Sequence, residues 1–344
     1  MPRECRFARM ADLRFDPVFG SWVAIARRRR ERPMEFISTQ EVRQQIICPF
    51  CSGNEDETPS EVIAFGAGGE VLSDPDESSQ WAVRIVPNKY PSLSEPIQET
   101  SGGPYASFDT DGTQEIVVPS PRHISSYSEL THAEAVIAMK ACQHRNRQLA
   151  ADPVIKHIMI FMNCGLDAGA SLGHIHLQIM ASPLTSPYIN RRAKLHQQYS
   201  AQHGVPLLRS LLDWEVDRQL RVVEETDHFF VICPYASRHA FQIWIVPRHS
   251  GSLFVDVKAE PLAELGQLLR KYVDCLETVL DKPAYNILFH QPPTSETGNM
   301  GWYVEIFPRL TRSAGYELGT DVWVNPVAPE TAAKRIRSAN KTQV

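Results

Sequence analysis

The sequence predicts an α+β protein in which one structural unit is used twice, giving two mostly antiparallel sheets with packed helices. Three observations carry this. The chain has 344 residues, about twice a common single-domain length. Short apolar runs alternate with loop-like stretches, and two amphipathic helical patterns fall among them. Pro121-Arg122-His123 returns as Pro247-Arg248-His249, and the elements after each copy come in the same order. From His123 to Gln178 is 55 positions and from His249 to Glu305 is 56, so order and spacing repeat together.

In the first copy the expected strands are Trp22 to Ala26, Val83 to Val86, Glu115 to Val118, Ile158 to Met162 and His176 to Met180. Leu130, Ala133, Ile137 and Ala141 recur at helical spacing between two of them. Gly53 to Ser79 is acidic and rich in Ser, Pro and Gly, and reads as loop, as does Gly102 to Gly112. Ile189 to Val223 reads as a helical connector. The second copy has a strand at Gln242 to Pro247 and a helix with Leu262, Leu265, Leu269, Tyr272 and Leu276 on one face. Strands at Asn286 to His290 and Trp302 to Ile306 complete it. The resulting division is 1–183, a connector over 184–225, and 226–344. Tyr303 stands where the first copy has His176, and Gly301 where it has His174, so the first copy is expected to hold the chemistry.

Composition narrows the function. Hydrophobic residues at 43% and charged residues at 22% describe a globular chain with a sizeable core. A net charge of -5 offers no basic field for nucleic acid or anionic lipid. No run of 18 apolar residues occurs, so no membrane span is expected. The first residues lack the apolar segment of a secretory signal, and Met10, followed by Ala11-Asp12-Leu13, is a second candidate start. Seven cysteines do not suggest a disulfide framework, and a cytoplasmic location is expected.

Two motifs carry chemistry. Cys48-Pro-Phe-Cys51 has a spacing at which two thiolates grip one tetrahedral zinc. A redox pair or two unrelated cysteines are the alternatives. The run into Gly53 and an acidic loop is unlike the helix start that a redox pair would open. No second CxxC follows, so further ligands would be histidines brought in by the fold. The second motif is His174-Ile-His176-Leu-Gln178. On an extended strand all three polar side chains share a face, which is costly inside a protein unless they bind something. Gly165, Gly169 and Gly173 just before it allow a ligand such as phosphate to approach the backbone. The plain alternative is an exposed edge strand with two ordinary histidines. Arg27 to Arg30 is a charge run better suited to phosphate than to nucleic acid, since no aromatic residues interleave it.

The segment GASLGHIHLQ (Gly169 to Gln178) resembles the active-site segment of the histidine-triad superfamily in its galactose-1-phosphate uridylyltransferase branch. CPFC, DPVFGSWVAIARRRRERP (Asp16 to Pro33), VPNKYPSL (Val86 to Leu93), PRH (Pro121 to His123) and YELGTDVWVNPVAPETAAKRIR (Tyr316 to Arg337) match the same branch. The last is closer to its ADP-glucose phosphorylase-like members. The resemblance implies a duplicated histidine-triad-like fold, a homodimer and a structural zinc on Cys48, Cys51, His123 and His174. It implies that His176 is the nucleophile and that Gln178 hydrogen-bonds a phosphoryl oxygen. Asn88, Asn163 and Ser171 fall where the family holds nucleotide and phosphates. Arg29 and Arg32 match phosphate-binding arginines, in a register the arginine run leaves open by one residue. Glu317 and Tyr316 are candidate hexose contacts.

Departures from the pattern are also legible. Ile175 stands where the branch usually has proline. A second metal site of some members uses two histidines where this chain has Tyr303 and Glu305, so that site is expected to be absent, although His290 remains. The glutamine that meets the hexose falls near Val324 or Asn325 and is not kept.

The chemistry fits the residue types. A neutral imidazole attacks an α-phosphorus without a further base if its other nitrogen is held as a donor. Preorganised donors then balance the charge on the non-bridging oxygens. Hydrolytic relatives carry a third histidine where this chain has Gln178, and an amide cannot shuttle protons at neutral pH. The expected activity is therefore transfer of a nucleoside monophosphate between a nucleotide sugar and a hexose 1-phosphate, through a nucleotidyl-histidine. The alternatives are an ADP-sugar or dinucleoside polyphosphate phosphorylase with inorganic phosphate as acceptor, and a nucleotide-binding sensor without turnover.

Overall fold

A computed structural model describes residues 12–25, 47–72, 80–92, 112–249, 253–295 and 300–342. The strands β1 (Asp12–Asp16), β2 (Ser21–Ile25), β3 (Ile63–Phe65), β4 (Val83–Pro87) and β5 (Thr113–Val118) precede the helix α1 (His132–Ala150). Then come β6 (His157–Cys164), β7 (Leu177–Ser182), α2 (Pro187–His203), α3 (Leu207–Arg218), β8 (Val222–Glu225), β9 (Phe229–Ile232) and β10 (Ile243–Pro247). The chain ends with α4 (Ala259–Leu280), β11 (Tyr285–His290), β12 (Tyr303–Pro308), α5 (Gly315–Thr320), β13 (Val322–Asn325) and α6 (Pro329–Thr342).

The repeat is visible in the strand order. One sheet of 10 strands runs β3-β4-β5-β7-β6-β11-β12-β10-β9-β8. Read from either edge to the centre, the order of elements is the same, with α1 and α4 in matching places. The two sheets expected from the sequence are thus halves of one, joined where β6 pairs antiparallel with β11. Joining satisfies backbone groups that two open edges would leave exposed. A further departure is β2, expected in the first copy, which instead pairs with β1 and β13 in a separate 3-stranded sheet. The end of the expected helical connector is also strand, because β8 pairs with β9 at the outer edge.

The two faces of the large sheet explain where a ligand has room. Alternate residues such as Leu177, Ile179 and Ala181 of β7 and Ile287 and Phe289 of β11 join α1, α4 and α6 in one continuous core. In α4, Leu262, Leu265, Leu269, Tyr272 and Leu276 are buried, as the sequence pattern predicts. Gly266 brings the two helices together, since a Cβ there would lie 2.7 Å from the Ala135 carbonyl oxygen. The opposite face differs between halves. Over the second half, α3 and the β1–β2 turn cover it, with Leu207, Leu208, Leu212, Val18 and Phe19 packed on Trp244, Val246 and Tyr303. Over the first half a smaller cluster of Phe50, Trp81, Val86, Ile116 and Val118 covers it in part. Half-buried Gln178 and Asn163 lie on this less covered face.

Candidate active site and metal centre

The helix α1 starts at a capping box. Thr131 accepts the Glu134 N–H, and Glu134 accepts the Thr131 N–H at 2.7 Å. The same carboxylate accepts from the Ser120 hydroxyl at 2.7 Å and from Arg122 at 2.6 Å, tying the helix to the loop before His123. Burial alone would raise the Glu134 carboxyl, but Arg122, Ser120 and Thr131 hold it down at about 2. The Ser120 carbonyl accepts from Nε2 of the fully buried His174 at 3.1 Å. That bond leaves the His174 Nδ1 lone pair free and aims it at the CxxC step.

The sulfurs of Cys48 and Cys51 and the Nδ1 atoms of His123 and His174 come together there. All four donor atoms lie within 4.8 Å of one another. The sulfur-to-nitrogen separations are 3.3 Å for Cys51 to His123, 3.5 Å for Cys48 to His174 and 3.7 Å for Cys51 to His174. A tetrahedral ion at ordinary zinc distances would set sulfur and nitrogen about 3.5 Å apart. The four residues therefore fit a metal, and among the described residues they are the one such group. Burial and the neighbouring Cys48 push the Cys51 thiol up to about 11. A bound cation would reverse that preference, because thiol ligands coordinate as thiolates.

His176 is buried two residues beyond His174. Its Nδ1–H donates to the His174 carbonyl at 3.0 Å, leaving Nε2 as the nitrogen with a lone pair. Burial lowers its pKa, so the neutral imidazole is favoured. The Phe50 ring, 5.1 Å away, walls one side. On β7, Gln178 accepts from Gln114 Nε2 at 2.9 Å. Asn163, at the end of β6, accepts from Asn286 Nδ2 at 2.8 Å. Gly165 and Gly169 bracket the short turn Leu166–Ala168 with φ of +84 and +89, and Asn286 also donates to the Ala168 carbonyl at 3.0 Å.

The other residues expected at the site divide. Asn88 closes a turn beside Gln114 by accepting the Tyr90 N–H at 2.9 Å, and Asn88 N–H donates to the Gln114 carbonyl. Ser171 is exposed on the loop leading to His174. Glu317 is not brought to this strand. It lies on α5 beside β13, and its carboxylate accepts the Ala314 N–H at the start of its own helix. Tyr316 is exposed on the same helix. Arg29 and Arg32 lie outside the described residues. The sequence singles out neither Gln114 nor Asn286 as a site residue; Asn286 only opens an expected strand. A signal existed for the first: Gln114 and Gln178 are 64 positions apart, and their counterparts Gln242 and Glu305 are 63 apart.

Comparison with known proteins shows the family. The family described as galactose-1-phosphate uridyl transferase, N-terminal domain, matches residues 5–185. The chain belongs to the galactose-1-phosphate uridylyltransferase family. A domain family of unknown function, DUF4921, also matches residues 121–343. ADP-glucose phosphorylase of Arabidopsis thaliana is 30% identical over 342 residues, covering 96% of this chain and 93% of that protein. Galactose-1-phosphate uridylyltransferase of Thermotoga maritima is 26% identical, covering 95% and 98%. The crystal structure of the Arabidopsis thaliana ADP-glucose phosphorylase with bound ADP-glucose superposes with a TM-score of 0.79 at 29% identity, covering 95% of this chain and 98% of that one. The chain is a nucleotidyltransferase of this uridylyltransferase family.

Strand register shows what this family member has done with its second copy. Gln178 faces Ile116 and Phe161 across its neighbours, and Glu305 faces Trp244 and Leu288. Tyr303 therefore matches His176, Gln242 matches Gln114, and His290 matches Asn163. In the second copy the polar groups bond to one another. Gln242 donates to Glu305 at 2.6 Å, and His290 donates from Nε2 to the same carboxylate. Arg192 of α2 donates to His290 Nδ1 at 3.0 Å and to the Tyr303 hydroxyl at 3.2 Å. Burial would raise the Glu305 carboxyl, but His290 and Arg238 hold it down at about 2. A guanidinium thus fills the space between His290 and Tyr303, which leaves these residues unsuited to a second metal. Among the described residues, no helix is long and apolar enough to cross a membrane.

Proposed function

We propose that the protein exchanges a nucleoside monophosphate between a nucleotide sugar and a hexose 1-phosphate, by a ping-pong route through His176. The observation that carries the reading is the fixed tautomer of His176. With Nδ1–H donated to the His174 carbonyl, Nε2 attacks the α-phosphorus. The bond from that phosphorus to the bridging oxygen breaks, and sugar 1-phosphate leaves with the electron pair. A second phosphate then attacks the nucleotidyl-histidine and restores the imidazole. No proton has to move in either step, which suits Gln178 where a hydrolase would need an acid. The Gln178 and Asn163 amides and the Ser171 hydroxyl supply donors to the phosphoryl oxygens, with Arg29 and Arg32 as the proposed cationic contacts and Asn88 beside the nucleotide. Glu317, placed away from this strand in its own chain, remains a candidate hexose contact only across the proposed homodimer.

We propose zinc as the ion held by Cys48, Cys51, His123 and His174, in a structural role. Two thiolates, two imidazoles and spacing for a tetrahedron support this choice. Bound there, zinc would stiffen the loop that carries His174 and so the approach to His176. We place the protein in the cytoplasm, where thiols such as Cys142, Cys164 and Cys233 stay reduced.

A second reading has its own support. The 30% identity to an ADP-glucose phosphorylase favours an ADP-sugar donor with inorganic phosphate as acceptor. Intact-protein mass spectrometry after incubation with UDP-glucose or ADP-glucose decides between them. Wild-type protein should gain one nucleoside monophosphate, and His176→Gly should gain none. Release of the adduct by galactose 1-phosphate identifies the first reading, and release by inorganic phosphate alone the second. An adduct that persists in His176→Gly would overturn both.

A further inference from the structure

We propose that Gln114 is a positioning residue that fixes which end of the Gln178 amide faces the transferring phosphoryl group. The inference rests on the reading that His176 carries the nucleotide. A glutamine side chain has an oxygen and an NH2 of nearly the same shape, so only its partners decide which way it points. Here the decision begins at a group with no choice. The backbone N–H of Ser92 can only donate, and it does so to Gln114 Oε1 at 2.7 Å. The Gln114 NH2 must then face the other way, toward Gln178 at 2.9 Å. Gln178 has to meet it with Oε1, which leaves the Gln178 NH2 as the end available to a phosphoryl oxygen. A donor is what the developing charge requires, whereas an amide oxygen would repel it.

The neighbouring strands show the same arrangement anchored by an acceptor. The Ala168 carbonyl can only accept, and it receives Asn286 Nδ2 at 3.0 Å. The same nitrogen donates to Asn163 Oδ1, so Asn163 also keeps its NH2 free. That NH2 faces the glycine turn, since a Cβ on Gly169 would lie 3.8 Å from Asn163 Nδ2. Two amides on one face are thus turned the same way by two unrelated backbone anchors. In the second copy Gln242 still donates to residue 305, but Glu305 presents equivalent oxygens and has no orientation to set. Only in the first copy does the bond choose between a donor and an acceptor.

The test compares Gln114→Glu with Gln114→Met in the full chain. Glutamate keeps the size and the Ser92 bond but has no proton to give at neutral pH. Gln178 must then turn its NH2 to the introduced carboxylate and its oxygen to the phosphoryl group. Methionine removes the constraint without forcing that turn. The readout is the first-order rate of nucleotide adduct formation by mass spectrometry, at saturating UDP-glucose or ADP-glucose. Simple charge repulsion by the introduced carboxylate would persist without the Gln178 amide, so Gln114→Glu in a Gln178→Met background should add little further loss if its effect runs through that amide. Gln114→Glu should slow loading by roughly 10²–10³-fold, the effect of losing one such donor. Gln114→Met should slow it less, with thermal midpoint and metal content near wild type in both. Loading of Gln114→Glu at the wild-type rate, or an equal loss in both variants, overturns the positioning role while His176 chemistry stands. Failure of wild-type protein to load from either sugar overturns the His176 reading, and this inference with it.

Discussion

The Tyr303 hydroxyl receives a hydrogen bond from the Arg192 guanidinium at 3.2 Å, in the place where the other half of the molecule keeps His176. The second copy has kept these sheet positions and filled them with polar side chains that bond to one another. Arg192 and Arg238 both lie over the Phe19 ring, at 4.8 Å and 3.7 Å, so the network also seats the β1–β2 turn.

Glu305 carries the negative charge of this network at 0% exposure. Glu305→Gln keeps its shape but leaves Arg238 buried with less compensation. Breaking a buried pair in this way costs about 3–5 kcal/mol. Urea unfolding should show a lower midpoint with an unchanged slope. A midpoint within error of wild type would mean that Asp16, which also faces Arg238, compensates the cation by itself.

Cys48→Ser should lose its metal and part of its stability, because ligand binding at such a site is folding free energy. Metal analysis of the purified protein and its thermal midpoint with and without a chelator check this. The wild-type midpoint should fall on chelation and the Cys48→Ser midpoint should not respond. Equal metal content in the two proteins would remove the assignment.

Gly266→Ala tests the packing of α1 on α4. Alanine gains about 0.8–1.0 kcal/mol of helix propensity over glycine. Its Cβ, however, would meet backbone at 2.7 Å, and overpacking of a tight core costs about 1–3 kcal/mol. We expect a net loss of up to about 2 kcal/mol in denaturant unfolding. A more stable variant would show that the helices part without strain.

Glu134 gives a pH dependence with a definite sign. Its carboxyl falls from an ordinary 4.5 to about 2 in the folded protein. Its contribution is therefore complete above the unfolded value and fades as pH drops through the window down to about 2. The stability gap between wild type and Glu134→Gln should be widest near pH 7 and shrink from about pH 5 downward. Unfolding midpoints at pH 7, 4 and 3 measure it. A gap that stays constant would assign the residue's role to shape and not to charge.

Much of this could be read before any fold was known. Long, patterned elements such as α4 and β6 stand within a few residues of where periodicity puts them. The short strands β3, β8, β9 and β13 escaped, since three or four residues carry too little alternation, and the buried run Phe229–Ile232 has none. The CxxC step and the His-x-His-x-Gln segment were explicit, but composition and spacing alone did not join His123 to them. Asn286 was invisible because it comes from the other half of the chain, 123 positions from its partner Asn163.

The sequence by itself determined the α+β class and the repeat, and it marked the residues that we propose for phosphoryl transfer. It did so because side-chain type and period are local properties. The tertiary structure decided which copy is open. α3 and the β1–β2 turn close one half of a sheet face, and the smaller cluster around Phe50 and Trp81 leaves the other partly bare. It also decided the polarity of the amides, through a Ser92 N–H that can only donate and an Ala168 carbonyl that can only accept. Orientation of that kind depends on partners far apart in the chain, so no local pattern encodes it.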